Sequence, residues 1–148
     1  MQVKDITKPA VIVSESQTLR EVIQCMNTEH TNTVLVVDEE GKLSGEVSVS
    51  DLFDAIIPDT VSGDEALAHF SNEENFITAV QAAADRLVSD FMIYDITPVY
   101  PEDTLITIAA QAISHQQARL PVINHEGRPV GIISRQGLKK ILAKFLSE

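Results

Sequence analysis

Tryptophan is absent from this 148-residue sequence, and cysteine and basic residues are scarce. Cys25 is the only cysteine, so no disulfide can close within the chain and thiolate-based zinc spacing is excluded. Its place in an apolar helical pattern reads as a small core residue. Lys and Arg number 11 against 22 Asp and Glu, a formal net charge of −11 at pH 7. Affinity for nucleic-acid backbones comes from clustered cations, so no nucleic-acid partner is expected, and any bound polyphosphate must meet a local positive group. No run approaches the roughly 18 to 20 apolar residues of a membrane span, and MQVKDITKP has no signal-like apolar segment. A cytoplasmic location without membrane contact is expected. His30, His69, His115 and His125 include no i, i+4 pair and have no cysteine beside them, so no metal site is expected. There is no nucleophile with a base in a known motif and no phosphate-binding lysine loop. Glu39-Glu40 and Glu73-Glu74 read as solvated turn and helix residues. No catalytic residue, no cofactor and no enzymatic activity are expected.

What the sequence does have is 44% hydrophobic residues, enough to bury a core at this length, and an internal repeat. The stretch from Val34 to Ser48 matches the stretch from Leu120 to Ser134 at a constant offset of 86 positions without a gap. The same offset pairs Thr18-Leu19 with Thr104-Leu105, and Leu52 with Leu138. Each repeat reads as strand, helix, strand, strand, helix. Opening strands are expected at Ala10 to Val13 and Ile96 to Tyr100, both rich in β-branched residues. Thr18-Leu-Arg-Glu21 is a capping box, followed at helical spacing by Leu19, Val22, Ile23 and Met26. Leu105, Ile108, Ala109, Ala112 and Ile113 repeat that face. Hairpins are expected at Val34–Val37 with Leu43–Val47 and at Leu120–Ile123 with Val130–Ile133, turning at Gly41 and Gly127. Closing helices start near Asp51 and Gly137. The second presents Leu138, Ile141, Leu142 and Phe145 on one face, with Lys139, Lys140 and Lys144 solvated towards its C-terminal end.

The stretch from Pro58 to Arg86 has no counterpart in the repeat. Its acidic, alanine-rich part, Asn72 to Leu87, should be helical, an insertion that links the halves and suits partner binding or dimer contact. The expected organisation is one module: first motif 1–57, insertion 58–87, second motif 88–148.

A strand-helix-strand-strand-helix unit ending in Gly-x-hydrophobic-Ser/Thr-x-x-Asp and duplicated in tandem resembles the CBS motif pair, or Bateman module. The first half carries Gly45-Glu-Val-Ser48-Val-Ser50-Asp51, a complete signature; the second carries Gly131-Ile-Ile-Ser134-Arg-Gln-Gly137, with glycine in place of the acid. The signature has a physical rationale. Glycine lets a backbone approach closely, a hydroxyl at a helix N-terminus can bond phosphate beside free N–H groups, and a carboxylate can accept two ribose hydroxyls. Asp51 also has a purely structural reading, as a helix cap, and Arg119 has one as a member of a surface ion pair.

The resemblance implies an α/β (α+β) fold, a pseudo-twofold pair of β-α-β-β-α motifs with sheets packed face to face. It implies a first ligand cleft that joins Gly45, Val47, Ser48, Ser50 and Asp51 to Thr97, Val99, Arg119 and Pro121. Asp51 would hold the ribose, Ser48 and Ser50 would meet ribose or phosphate, and Arg119 would face the phosphate. Val47, Thr97, Val99 and Pro121 would enclose an adenine. A second cleft would join Ser134, Gln136 and Gly137 to Val11, Thr33 and Leu35; having lost both carboxylate and guanidinium, it should be empty, weak or adapted to another ligand. The function implied is non-catalytic sensing of an adenine nucleotide (AMP or ADP first, ATP next, an S-adenosyl or dinucleotide ligand third), relayed to an unidentified regulated protein, in a homodimer formed through helices. The alternative is a dimerisation scaffold whose clefts bind nothing.

Overall fold

The repeat is visible atom by atom in its two turns. In the computed structural model, which describes residues 1–57, 62, 65, 68, 70–115 and 119–148, Asp38 Oδ1 accepts from the N–H groups of Glu40 and Lys42 at 2.9 and 3.0 Å. Asn124 Oδ1 accepts from Glu126 and Arg128 at 3.0 and 3.0 Å. Gly41 and Gly127 take φ of +80° and +83°, a conformation that costs an L side chain roughly 1 to 2 kcal/mol. The expected hairpin turns are therefore set by an Asp or Asn that satisfies the turn amides and a glycine that closes it.

Among the described residues six strands form two three-stranded sheets: β1 Thr7–Lys8, β2 Ile12–Ser14, β3 Thr33–Val37, β4 Leu43–Ser48, β5 Leu120–Ile123 and β6 Pro129–Ile133, ordered β2-β3-β4 and β1-β6-β5. Helices α1 Leu19–Glu29, α2 Val49–Ile56, α3 Glu73–Ala83, α4 Val88–Phe91, α5 Leu105–Ser114 and α6 Arg135–Leu146, with the short helical turn Val3–Asp5, complete the elements among the described residues. The fold is of the mixed α and β class expected.

The chain divides into two compact units. One comprises Met1–Ala10, Val37–Leu43 and Asp95–Glu148; the other comprises Val11–Val36 and Ser44–Tyr94. The first ten residues thus join the unit built on the second repeat, where β1 pairs antiparallel with β6, Thr7 opposite Ile133 and Lys8 opposite Ile132. Its core gathers Val3, Ile6, Val99, Leu105, Ile108, Leu120, Val122, Ile133 and Ile141. The other unit buries Val13, Leu19, Val22, Met26, Val34, Val36, Val47 and Leu52 together with residues of α3 and α4.

Charge is divided as sharply as the chain. The segments of the unit built on the second repeat hold nine Lys or Arg and nine Asp or Glu, and are neutral overall. The segments of the other hold two and thirteen, the entire net charge of −11.

The capping box forms as expected: Thr18 Oγ1 accepts from Glu21 N at 3.3 Å and Glu21 Oε1 accepts from Thr18 N at 3.1 Å. Three sequence expectations require correction. Ile96 to Tyr100 is no strand; only Val99 bridges Val122, because Pro98 lacks the N–H that a ladder needs. The first opening strand runs Ile12–Ser14 rather than from Ala10. The helix expected to reach Leu87 ends at Ala83. The carbonyls of Ala84 and Arg86 instead accept from Arg20 N and Leu19 N at 3.0 and 2.9 Å, satisfying two of the orphan donors at the start of α1. The insertion therefore caps a helix of the first repeat, and Ala79 and Ala83 lie buried in that unit's core. Residues 58–61, 63–64, 66–67 and 69 of the insertion lie outside the described residues.

Two expected core faces are also only half buried. Ile108 and Ile141 are fully covered, while Ile113 is 78% and Leu142 66% exposed and Phe145 is exposed as well. Five residues of helix turn Ile113 about 140° from Ile108, away from the core stripe.

Candidate functional site

Strand β4 delivers the signature to the first turn of α2. Ser48 is the N-cap, with extended φ and ψ of −108° and 171°, and Asp51 is the third helical residue. Asp51 Oδ2 accepts from Ser48 N at 2.7 Å and from Ser48 Oγ at 3.0 Å. The carboxylate so satisfies the cap and favours the positive end of the helix. Asp51 is not the N-cap residue itself; it is the reciprocal partner of one. Its Oδ1 carries no hydrogen bond among the described residues, which leaves an acceptor on a half-buried carboxylate. Ser50 is exposed on the first turn.

Gly45 has a packing role. A Cβ there would lie 2.8 Å from the Ile93 carbonyl oxygen and 2.9 Å from Met92 Sδ. Its absence lets the chain after α4 run beside β4, where Glu46 and Ile93 exchange backbone hydrogen bonds of 3.1 and 2.9 Å. Val47 is fully buried in the same unit.

In the other unit Val99 and Pro121 are buried and Thr97 is half-buried. Val99 N donates to the Pro121 carbonyl at 2.9 Å, and Ile123 N to the Val99 carbonyl at 2.9 Å. Arg119, half-buried just before β5, has no ion-pair partner among the described residues.

The residues expected at the second cleft are placed as follows. Ser134 is the N-cap of α6, and its Oγ is buried without a hydrogen-bond partner among the described residues. Gln136 Oε1 accepts from Lys8 Nζ at 2.8 Å. Gly137 is buried, with the Ile6 carbonyl oxygen 3.0 Å and Ile133 Cγ2 3.1 Å from where its Cβ would stand. A side chain at the position equivalent to Asp51 would therefore start in tight contact with Ile6 and Ile133. Val11 is half-buried, its carbonyl accepting from Leu35 N at 2.9 Å. Thr33 is buried with its Oγ1 unpartnered among the described residues. An unmet buried hydroxyl costs roughly 1 to 3 kcal/mol.

Lys8 and Ile6 were missed as neighbours of this site. A signal existed: Val3-Lys-Asp5-Ile6 and Val88-Ser-Asp90-Phe91 recur at a spacing of 85, and both form short helical turns, Val3–Asp5 and α4.

Among the described residues no group of three or more His, Cys, Asp or Glu could hold a metal ion, and no helix is long and apolar enough to cross a membrane.

A duplicated hairpin-and-helix unit of this kind is the architecture of a CBS motif pair. The sequence profile of the CBS domain matches residues 3–58 and 88–144. The chain belongs to the CBS domain family. It is 30% identical to the CBS domain of a CBS domain-containing membrane protein from Sphaerobacter thermophilus, with a TM-score of 0.77 over 95% of this chain and 87% of that one. A CBS domain pair solved in complex with 5′-methylthioadenosine and S-adenosyl-L-methionine superposes with a TM-score of 0.69 at 19% identity, covering 98% of each chain. CBSX2, solved in complex with AMP, gives 0.69 at 18% identity over 98% of each. At those identities the last two share the fold.

Proposed function

We propose that this chain is a non-catalytic regulatory module that binds an adenosine-bearing ligand through its first signature and relays occupancy to a partner protein. AMP or ADP is the first choice, ATP the second and an S-adenosyl ligand the third. The observation that carries this reading is the intact signature on the first turn of α2. There a half-buried carboxylate keeps one oxygen without a hydrogen bond among the described residues, and Ser50 stands exposed on the same turn, a set able to accept ribose hydroxyls and, through Ser50, to donate to a phosphate. Arg119, half-buried and without an ion pair among the described residues, is a cation that could serve a phosphate. The two structural relatives named above were solved with ligands that have adenosine in common, which supports the class.

Electrostatics orders the candidates. The unit that bears Asp51 carries the whole −11, so a polyphosphate must overcome a negative field that a monophosphate meets less strongly. The module is read as a cytoplasmic homodimer. Signalling then requires a partner that prefers the liganded arrangement, because equal affinity for both shifts nothing.

A scaffold reading, in which the clefts bind nothing, is favoured by one observation: Asp51 and Ser48 satisfy each other as a helix cap. Thermal unfolding against AMP, ADP, ATP with and without magnesium, NAD and S-adenosylmethionine separates the two. A ligand at a hundred times its Kd stabilises by about 2.7 kcal/mol. A flat response to every compound rejects the sensor.

A further inference from the structure

Helix α2, which bears the first signature, is eight residues long, and a helix of that length does not hold itself together in water. Its first turn is closed by Ser48 and Asp51. Its last turn ends differently. Ile57 leaves the helix extended, with φ −67° and ψ 121°, as the following Pro58 favours, so the left-handed closure that satisfies C-terminal carbonyls is missing. The Arg86 guanidinium takes its place: Nη1 donates to the Ala55 carbonyl at 2.8 Å.

Arg86 is placed for this task. Its unit holds thirteen Asp or Glu and only two cations, Arg20 and Arg86. Arg86 nevertheless makes no ion pair among the described residues and stands half-buried at a helix end whose dipole favours a cation. Its backbone is fixed independently of α2. The Arg86 and Ala84 carbonyls accept from Leu19 N and Arg20 N at 2.9 and 3.0 Å, and Val88 N and Ser89 N donate to the carbonyls of Gln17 and Glu15 at 2.8 and 3.2 Å. Residues 84–89 so form a strap along the start of α1, and Arg86 reaches from that strap to the end of α2. Packed side chains do not replace it on this side, where a cavity of about 270 Å³ bordered by Ala55, Ile57, Ala79, Ala82 and Arg86 lies between α2 and α3.

We propose that Arg86 is a positioning residue for the first signature: it sets where α2 holds Ser48 and Asp51, and so couples the strap to ligand binding. The link is short. In the helical ladder the Ala55 N–H closes onto the Asp51 carbonyl, so the residue that Arg86 grips is one hydrogen bond from the residue assigned to the ribose. Arg86 stands at the other end of a helix about 12 Å long, so it acts through α2 and not by touching the ligand. This rests on the reading of the signature as a nucleotide site and adds the insertion to its machinery. The coupling is reciprocal: a ligand that requires this placement of α2 also tightens the Arg86 clasp.

Calorimetry of AMP and of adenosine binding to the full chain, well below its unfolding range, tests this in the wild type, Arg86→Ala and Arg86→Lys, with circular dichroism to confirm folding. Arg86→Ala is expected to weaken both ligands by about fivefold or more and by equal factors. Arg86→Lys, which keeps a donor for the Ala55 carbonyl, is expected to recover most of that loss. A loss confined to AMP would put Arg86 on the phosphate and overturn the positioning role. Unchanged affinity in a folded Arg86→Ala, with only the Tm lowered, also overturns it while leaving the nucleotide reading intact. Should Arg86→Ala not fold, amide exchange of the wild type decides. AMP is expected to slow the Leu19 and Arg20 amides, whose acceptors lie on the strap, more than the Leu138 amide of α6, and equal slowing overturns the proposal. A wild type that binds neither AMP nor adenosine overturns the nucleotide reading and the positioning role with it.

Discussion

The Ile6 carbonyl oxygen stands 3.0 Å from the point where a side chain at Gly137 would begin. This contact gives a physical reason for the asymmetry between the two signatures. The N-terminal segment pairs β1 with β6 and brings Ile6 against the first turn of α6, where a Cβ at Gly137 would be crowded. Installing the missing acid should therefore not create a second nucleotide site. Gly137→Asp is expected to destabilise the protein by about 1 to 3 kcal/mol through overpacking, read as a lower Tm, and to leave ligand stoichiometry unchanged in calorimetry.

Gly45 should be intolerant for the same kind of reason. A methyl group 2.8 Å from the Ile93 carbonyl oxygen forces the segment after α4 away from β4. Gly45→Ala is expected to cost about 1 to 3 kcal/mol, measured by urea unfolding. An unchanged midpoint would show that the segment moves aside freely.

Thr33 carries a buried hydroxyl with no partner among the described residues. Thr33→Val should raise the stability of the ligand-free protein by about 1 kcal/mol, since replacing an unsatisfied buried hydroxyl with an apolar group removes its desolvation cost. A fall in Tm would mean that the hydroxyl is bonded in solution. A binding role for Thr33 would appear separately, as weaker ligand affinity in the same variant.

Asp51 has two roles that substitution can separate. Asp51→Asn keeps an oxygen to accept from Ser48 N, and so preserves much of the cap, but loses the charge. Asp51→Ala loses both, including a cap worth about 0.5 to 2 kcal/mol. Nucleotide affinity is expected to fall about 10- to 150-fold in Asp51→Ala, the loss of a charged hydrogen bond of roughly 1.5 to 3 kcal/mol. Asp51→Asn should retain most of the stability yet bind poorly.

Much of the local chemistry was legible in the sequence. The Thr18–Glu21 box and the turns at Gly41 and Gly127 are short-range and form where the residue types require it; the Ser48–Asp51 pair is as local, but Asp51 was expected as the N-cap and stands at the third helical position instead. The repeat fixed the hairpins because its offset is constant over whole elements. Long-range partners were not legible. Thr7–Lys8 is too short to carry an alternating pattern and pairs with β6 across most of the chain. The carbonyls of Ala84 and Arg86 are claimed by α1, so a helical composition stopped early. The exposure of Leu142 and Ile113 likewise depends on what covers each helix, which periodicity alone does not encode. The identities of the candidate ligand residues came from the signature, whereas the crowding at the Gly137 position needed coordinates.

The most direct test of the account is isothermal titration of AMP into the wild type and into Asp51→Asn, with unfolding curves recorded on both. The account predicts one saturable site per chain in the wild type and affinity lost in the variant, which unfolds at nearly the same temperature. No heat beyond dilution in the wild type, with ADP, ATP and S-adenosylmethionine equally silent, would contradict it and leave Asp51 as the cap of α2 alone.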